Sequence, residues 1–209
     1  MGLCLRARRA AVAVAALLVL GSAGSSVAAP AFEDSMAQRM LACTACHGPE
    51  GRAAPDGYYP RIAGKPEGYL FNQLLNFRDG RRHYALMANL LAPLDDAYLR
   101  TIAAHFASLS LPYPPPGPSA LDAEGSAAAA RLVNQGDAAR GLPACTSCHG
   151  AGMTGTAPFV PGLVGLSRDY LNAQLGAWRN GKRVAQEPDC MAALAVGRRL
   201  SWRRDGVQA

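Results

Sequence analysis

Two stretches, Cys43-Thr44-Ala45-Cys46-His47 and Cys145-Thr146-Ser147-Cys148-His149, share the pattern C-x-x-C-H in a chain of 209 residues. Two thiols three positions apart can each add to a vinyl group of haem, and the imidazole that follows can reach the iron from the same side. The pattern therefore predicts two covalently bound haem c groups. Their predicted attachment points are Cys43, Cys46, Cys145 and Cys148, and their predicted proximal iron ligands are His47 and His149.

Two other kinds of site also use a C-x-x-C pair. A zinc site would gather all four of these thiols into one tetrahedral set, but it would leave both histidines without a role. A thioredoxin-like thiol pair would need a preceding strand in a βαβ unit, and the sequence shows no such unit. Both alternatives explain less of the two motifs than haem attachment does.

The N-terminus has the composition of a secretory signal peptide. Three arginines among the first nine residues precede an apolar run, Ala10 to Leu20, that is too short to span a bilayer. Small residues follow, so residues 1–31 are the predicted signal peptide, with cleavage after Ala29 and an uncleaved anchor as the alternatives. We therefore expect export to the periplasm.

The basic charge of the chain is partly that of the predicted signal peptide. The formal net charge is +6, from 21 basic and 15 acidic residues, and it falls to +3 without Arg6, Arg8 and Arg9. Two haems would add four propionates, which roughly cancel this charge. Because no basic stripe with interleaved aromatic residues is present, nucleic-acid binding is not predicted.

The second half of the chain repeats the first in nearly constant register. The matched segments are 60–64 and 161–165, then Tyr-Leu-x-x-Gln-Leu at 69–74 and 170–175, then 77–82 and 178–183. Repetition over this length indicates a duplicated domain. We predict a first domain at residues 32–110, a stiff Pro-rich linker at 111–120 and a second domain at 121–209.

Each half has the pattern of a helical domain. Pro66 is expected to open a helix that Gly80 closes, and Asp95 or Asp96 is expected to cap the next one. The apolar stripe predicted for that next helix consists of Leu99, Ile102, Ala103 and Phe106. No alternating run bounded by turn residues suggests a sheet, so the predicted class is all-α.

The sixth ligand of each iron decides what a haem can do. Met87 follows His47 and Met191 follows His149 at nearly the same separation along the chain, each behind the basic end of the repeated helix. A thioether ligand raises the haem potential and closes the iron to other ligands. We therefore predict Met87 and Met191 as axial ligands, although packing in a core is the usual role of methionine.

Two further residues compete for these axial positions. His83 is the main rival for the first iron, but the second half has Val184 near the equivalent place. Met153 comes one helical turn after His149, which is too close for it to reach the opposite face of the same haem. The duplication therefore favours the methionine pair.

Other residues at equivalent positions suggest supporting roles. Pro60 and Pro161 follow their histidines at almost equal spacing, where a carbonyl can accept the imidazole Nδ1–H. The basic residues at the end of the repeated helix are candidates for pairing with haem propionates, or else belong to solvated helix ends. They are Arg81, Arg82, Lys182 and Arg183.

These haem motifs, repeated helices, methionines and the Pro-rich joint resemble the dihaem cytochrome c4 family of bacteria. The resemblance covers nearly all of the chain after the signal peptide, and the tract 187–191 matches particularly well. It implies two tandem class I cytochrome c domains with neighbouring haems. Members of that family are periplasmic, in some cases membrane-associated, and pass electrons from a quinol-oxidising complex to terminal oxidases.

The predicted function is therefore electron transfer without substrate chemistry. One alternative is the haem subunit of a flavin or molybdenum dehydrogenase, in which the redox role is the same but the partner is fixed. A dihaem peroxidase needs one iron that can open, and the matched methionines argue against it.

The C-terminus departs from the family pattern. The sequence given ends at Ala209, soon after Met191, and the segment 202–209 has no apolar stripe. The second domain is therefore predicted to lack its full C-terminal helix, unless the reading frame shifts after about Arg199. We expect this domain to be the less stable of the two.

Overall fold

The computed structural model describes residues 33–115 and 117–197. The predicted signal peptide, Pro116 of the linker and the chain from residue 198 onward lie outside the described residues. Backbone contacts divide the chain into a unit that ends at Gln38 and a larger compact unit that begins at Arg39. Both haem motifs belong to the larger unit, and the domain boundaries proposed within it stay predictions.

Helices make up most of the first half. They are α1 (Met36–Arg39), α2 (Leu41–His47), α3 (Glu67–Arg78), α4 (Ala85–Leu91) and α5 (Asp96–Ser108), with a 3-10 turn at Pro49–Gly51. Pro66 lies at the N-cap of α3, and the Asp95 carboxylate accepts a hydrogen bond from the backbone N–H of Tyr98 at 2.8 Å. Both predicted helix starts are confirmed. Since φ at Gly80 is +77°, glycine allows the turn after α3.

The core of the first half lies where α3 packs against α4 and α5. Leu99, Ile102, Ala103 and Phe106 are buried on α5, which confirms the predicted apolar stripe. Removing these side chains from water is what holds the short helices together, because isolated helices of this length are marginal.

The second half has counterparts of α2, α3 and α4 and adds two short strands, and within residues 117–197 it has no counterpart of α5. Its elements are α6 (Ala123–Gln135), α7 (Thr146–His149), β1 (Gly155–Thr156), β2 (Val160–Pro161), α8 (Arg168–Arg179) and α9 (Cys190–Ala195). The two strands are antiparallel, with Gly155 opposite Pro161. Such short strands cannot produce an alternating pattern, so the sequence did not predict them. Helices still dominate, as expected.

Burial differs between the halves. Every buried apolar side chain in the described part of the chain lies between residues 40 and 106. Over residues 117–197, helices α6, α8 and α9 have no buried side chain. Nor is any helix in the described ranges long and apolar enough to cross a membrane.

The two halves are joined by main-chain pairing at equivalent positions. Arg82 and Arg183 form an antiparallel bridge. The amide of His83 donates to the carbonyl of Lys182 at 2.9 Å, and the amide of Val184 donates to that of Arg81 at 2.7 Å. Because Arg82 and Arg183 are matched in the repeat, the pairing follows the register of the duplication.

The beginning of the linker is fixed to the first half by Arg61. This buried guanidinium donates to the carbonyls of Leu111 and Pro112 at 2.6 and 3.1 Å and lies over the ring of Tyr113 at 4.5 Å. It also donates to the carbonyl of Ala63 at 3.2 Å. Backbone carbonyls and one aromatic ring therefore satisfy a buried cation, and the linker leaves the first half in a defined direction.

Two candidate haem sites

The two motif histidines occupy equivalent, buried places. His47 ends α2 and His149 ends α7, and they are 8% and 6% exposed. Their Nδ1 atoms lie 2.8 Å from the carbonyl of Pro60 and 2.7 Å from that of Pro161. A carbonyl can only accept, so each Nδ1 carries the proton and each Nε2 keeps a lone pair for a metal. The imidazoles present thus fit haem iron.

The electrostatics of His47 also favour the neutral imidazole. Burial lowers the pKa of His47, the hydrogen bond to Pro60 partly opposes this, and the positive charge of Arg82 lowers the pKa further. Only the neutral ring has a free lone pair, so the surroundings hold this side chain in the form that binds a metal.

A glycine follows each histidine and turns the chain back on itself. φ is +74° at Gly48 and +81° at Gly150. A Cβ at Gly48 would collide with the carbonyl oxygen of Ala53, so no other residue fits this turn without a shift. No role was predicted for these glycines, although each directly follows C-x-x-C-H and could have been recognised by that position.

The loops after the histidines are held in the same way in both halves. The amides of Ile62 and Ala63 donate to the carbonyl of Gly51, at 2.9 and 3.0 Å. In the second half the amides of Leu163 and Val164 donate to the carbonyl of Met153, at 2.8 and 3.3 Å. Met153 thus takes the place of Gly51 in a turn, with φ of +54°.

The four motif cysteines lie in two separate places. Cys43, Cys145 and Cys148 are partly buried and Cys46 is exposed, and burial raises the pKa of the Cys43 thiol. Among the described residues, no three His, Cys, Asp or Glu side chains lie close enough together to hold one metal ion. The structure therefore does not form the pooled zinc site that was the alternative.

The candidate axial methionines lie on two short equivalent helices. Met87 is on α4 and Met191 is on α9, and both side chains are partly buried. The rival His83 has an exposed side chain. This placement keeps the methionine pair as the better hypothesis, and their ligation stays a prediction.

The four basic residues proposed for the propionates separate into two kinds. Arg82 and Arg183 are buried. Arg81 is partly exposed and pairs with Asp79 at 3.0 Å and Asn76 at 3.0 Å, and Lys182 is exposed. The two buried guanidiniums are thus the stronger candidates for a haem site.

Arg82 and Arg183 share one hydrogen-bonded cluster across the two halves. Arg82 donates to Gln73, Gln174 and the hydroxyl of Tyr170, at 2.9, 2.7 and 2.8 Å. Arg183 donates to Gln174, Gln73 and the hydroxyl of Tyr69, at 2.8, 3.1 and 3.5 Å. We call this group the paired-arginine cluster.

Each guanidinium of the paired-arginine cluster also lies over an aromatic ring of its own half. Arg82 is 4.4 Å from the ring of Phe77 and Arg183 is 3.9 Å from that of Trp178. Burial, followed by the positive charge of Arg82, lowers the pKa of Arg183. The repeated Tyr-Leu-x-x-Gln-Leu segments supply the tyrosines and glutamines of this cluster, a role that was not predicted for them. The signal was the spacing of Tyr and Gln by one helical turn in both halves.

The buried charges of the described chain are all positive. Apart from the two histidines, the buried ionisable side chains are Arg61, Lys65, Arg82 and Arg183, and no carboxylate is buried with them. A buried cation is costly unless an anion or several acceptors satisfy it. The carboxylates of haem propionates are anions that would satisfy such buried cations.

The relatives of this chain include thiosulfate dehydrogenase electron acceptors and cytochromes c4. The thiosulfate dehydrogenase electron acceptor of Thiomonas intermedia is 39% identical over 171 residues, which cover 81% of this chain and 77% of that protein. Cytochrome c4 of Pseudomonas aeruginosa is 36% identical over 190 residues, or 90% of each chain. No family model matches the chain.

Two solved structures resemble the fold. Reduced recombinant cytochrome c4 from Pseudomonas stutzeri gives a TM-score of 0.63 at 32% identity, over 77% of this chain and 86% of that one. The thiosulfate dehydrogenase of Marichromatium purpuratum gives a TM-score of 0.64 at 33% identity, over 74% of this chain but only 32% of that larger one. The cytochrome c4 structure confirms the all-α cytochrome c fold.

The similarity to cytochromes c4 extends over nine tenths of both chains, and it includes the segments that hold both haem motifs. The relatives are named as cytochromes and as an electron acceptor, which makes this protein an electron carrier with redox protein partners. The chain thus belongs to the cytochrome c4 family, and its cofactors are two covalently bound haem c groups.

Proposed function

We propose that the protein is a periplasmic electron carrier in which two low-spin His/Met haems form a relay. The first haem is attached to Cys43 and Cys46, with His47 and Met87 as iron ligands. The second is attached through Cys145 and Cys148, with His149 and Met191 as ligands. The observation that carries this proposal is the matched pair of buried imidazoles, each held by a proline carbonyl.

The haem iron supplies the redox chemistry by changing between its ferric and ferrous states. The residues of the chain keep each site fixed during that change. Pro60 and Pro161 hold the imidazoles in one tautomer and orientation, and the thioether links prevent loss of the group. With Met87 and Met191 as ligands, each iron would be closed to water and peroxide, and the protein would transfer electrons without acting on a substrate.

The paired-arginine cluster supports electron transfer between the halves. Arg82 and Arg183 lie beside each other with no buried carboxylate nearby among the described residues. We infer that they neutralise inward-facing haem propionates, so that the two haems approach each other at the junction. Arg81 and Lys182 would then contribute only at the solvent-exposed rim, where charge is screened.

For the electron donor we favour a thiosulfate dehydrogenase. Two relatives, from Thiomonas intermedia and Stutzerimonas stutzeri, are named as electron acceptors of that enzyme, at 39% and 35% identity. The chain would accept electrons from the dehydrogenase and deliver them toward a terminal oxidase. A quinol-oxidising complex, the donor that the resemblance to the cytochrome c4 family implies, is the second candidate.

Stopped-flow reduction of the oxidised holoprotein tests this function. We expect thiosulfate with catalytic amounts of a thiosulfate dehydrogenase to reduce both haems, and thiosulfate alone to reduce neither. A parallel reaction with quinol and a quinol-oxidising complex compares the second donor. Failure of both donors, or turnover of hydrogen peroxide by the holoprotein, would reject the proposal.

A further inference from the structure

A lysine of the first half reaches the main chain beside the second candidate haem site. Lys65 is only 5% exposed, and its Nζ donates to the carbonyl of Gly162 at 2.6 Å. Gly162 directly follows Pro161, whose carbonyl accepts from Nδ1 of His149 at 2.7 Å. The lysine contact is thus on the residue next to the carbonyl that orients the imidazole.

The first candidate site has no counterpart to this lysine. In the register of the duplication, Gly64 corresponds to Gly165, so Lys65 corresponds to Leu166. An apolar side chain at that position cannot donate a hydrogen bond or carry a charge. The contact is therefore an asymmetry between two otherwise matched halves.

The ammonium of Lys65 is buried without an anion. No carboxylate is buried within residues 33–115 and 117–197, and from the second half Lys65 faces the carbonyl of Gly162. The charged group that faces it from its own half is Arg61, which is itself held by linker carbonyls. Burial, followed by the charge of Arg61, lowers the pKa of Lys65 to about 8, so the side chain stays mostly protonated at pH 7.

We propose that Lys65 is a positioning residue for the second haem, whose potential it raises more than that of the first. The inference rests on the proposed function, in which His149 is the proximal ligand. The hydrogen bond to Gly162 holds the loop that presents the Pro161 carbonyl to His149. A buried positive charge at this place disfavours the ferric state, because interactions between charges are strong where water is excluded. Lys65 would therefore favour the second haem as the place of an electron that enters the protein.

The experiment compares three substitutions of Lys65 with an exposed control. Lys65→Met removes the charge and the donor, Lys65→Gln keeps a donor without the charge, and Lys65→Arg keeps the charge. The control is Arg168→Met, which removes one positive charge from an exposed side chain of the second half. Mass spectrometry first verifies that the parent protein and each variant carry two haems.

The two potentials are measured separately by NMR during a redox titration. Selective ¹⁵N-histidine labelling gives few signals, because the chain has four histidines. The hyperfine shifts of the His47 and His149 rings each report the oxidation state of their own iron. A parent protein without two haems, or without a hyperfine-shifted His149 ring, would reject the proposed function and not only the role of Lys65.

We expect Lys65→Met and Lys65→Gln to lower the potential of the second haem more than that of the first. Lys65→Arg should keep the potential of the second haem close to its value in the parent protein. Arg168→Met should change the potentials less than Lys65→Met does. Equal shifts at both haems, or no shift with Lys65→Met, would overturn the proposal. If Lys65→Gln alone matches the parent, the charge has no role and the proposal is also wrong.

A measurement on the parent protein does not depend on the folding of any variant. As pH rises through about 8, Lys65 loses its proton and the positive charge that disfavours ferric iron disappears. The potential of the second haem should therefore fall as the pH is raised through this range, by more than that of the first. Identical pH dependence at the two haems would contradict the proposal.

Discussion

In each candidate site a main-chain carbonyl, and not a side chain, orients the imidazole. The Pro60 and Pro161 carbonyls that accept from His47 and His149 belong to loops pinned by backbone hydrogen bonds to Gly51 and Met153. Side-chain substitution therefore alters these proximal contacts only indirectly. If Met87 and Met191 are the other iron ligands, as proposed, they are the side chains whose replacement would change the iron most directly.

Replacing either methionine by histidine should change one haem only. Imidazole stabilises ferric iron relative to a thioether, so Met87→His and Met191→His should each lower one midpoint potential. The change should fall within the range of about 0.8 V over which axial ligands set haem potentials. Spectroelectrochemical titration of each variant measures it. If both variants keep the spectra and potentials of the parent, the methionines are core residues.

The paired-arginine cluster gives a second prediction at the residue scale. Arg82→Gln removes a buried cation and its hydrogen bonds to Gln73, Tyr170 and Gln174, while the bonds from Arg183 to the two glutamines remain. Removing the hydrogen bonds of a buried charged group is expected to lower the free energy of unfolding by about 2 kcal/mol. Denaturant unfolding of the holoprotein measures the change.

Arg81→Gln is the matched control for that substitution. Arg81 is the neighbouring residue of the same type, but it is partly exposed and pairs with Asp79 near the surface. We expect a loss of about 0.5 kcal/mol or less. Equal losses for the two variants would show that the cluster has no special part in joining the halves.

The helices show which features of this chain a sequence can predict. Pro66 and Asp95 marked the beginnings of α3 and α5 because caps act within one turn, and the stripe on α5 followed from helical periodicity. The bridge between Arg82 and Arg183 did not follow, because it pairs main-chain atoms of residues far apart in the sequence. The burial of Arg61 and Lys65 was missed for a related reason: their acceptors are carbonyls, which leave no trace in side-chain composition.

Two capped helices allow a prediction at the scale of the element. The Asp95 and Asp122 carboxylates each accept from a backbone amide, on Tyr98 and Gly125, at 2.8 Å. Asp95→Ala should cost about 1 kcal/mol of global stability, because α5 is buried in the core. Asp122→Ala should cost less, because α6 has no buried side chain among the described residues and can fray without opening a core. Chemical denaturation gives the two values.

Amide exchange separates local fraying from global opening in these variants. With Asp122→Ala, exchange should accelerate within α6 and stay unchanged in α5. With Asp95→Ala, protection should fall throughout the first half. Equal global losses for both substitutions would show that α6 is packed as firmly as α5.

At the scale of the whole molecule, the two halves produced by duplication differ in how much apolar surface they bury. The matched features are the histidine–proline hydrogen bonds, the glycine turns and the arginines that bridge the halves. The unmatched features are apolar burial, which lies between residues 40 and 106 in the described chain, and Lys65, which only the first half supplies. The junction thus lets the better-packed half support the other through polar contacts.

Unequal burial predicts the order in which the two haem sites open on heating. Helix α6 precedes the second haem motif and has no buried side chain among the described residues, while α5 buries four apolar side chains in the first half. Apolar contacts of that kind contribute on the order of several kcal/mol, comparable with the stability of a small domain. The second half should therefore open first, and the bond between Met191 and its iron should be the more labile. Thermal melts in which NMR follows the His47 and His149 rings separately measure the order. Simultaneous loss, or earlier loss of the first site, would show that polar contacts at the junction or the tail from residue 198 compensate for the missing core.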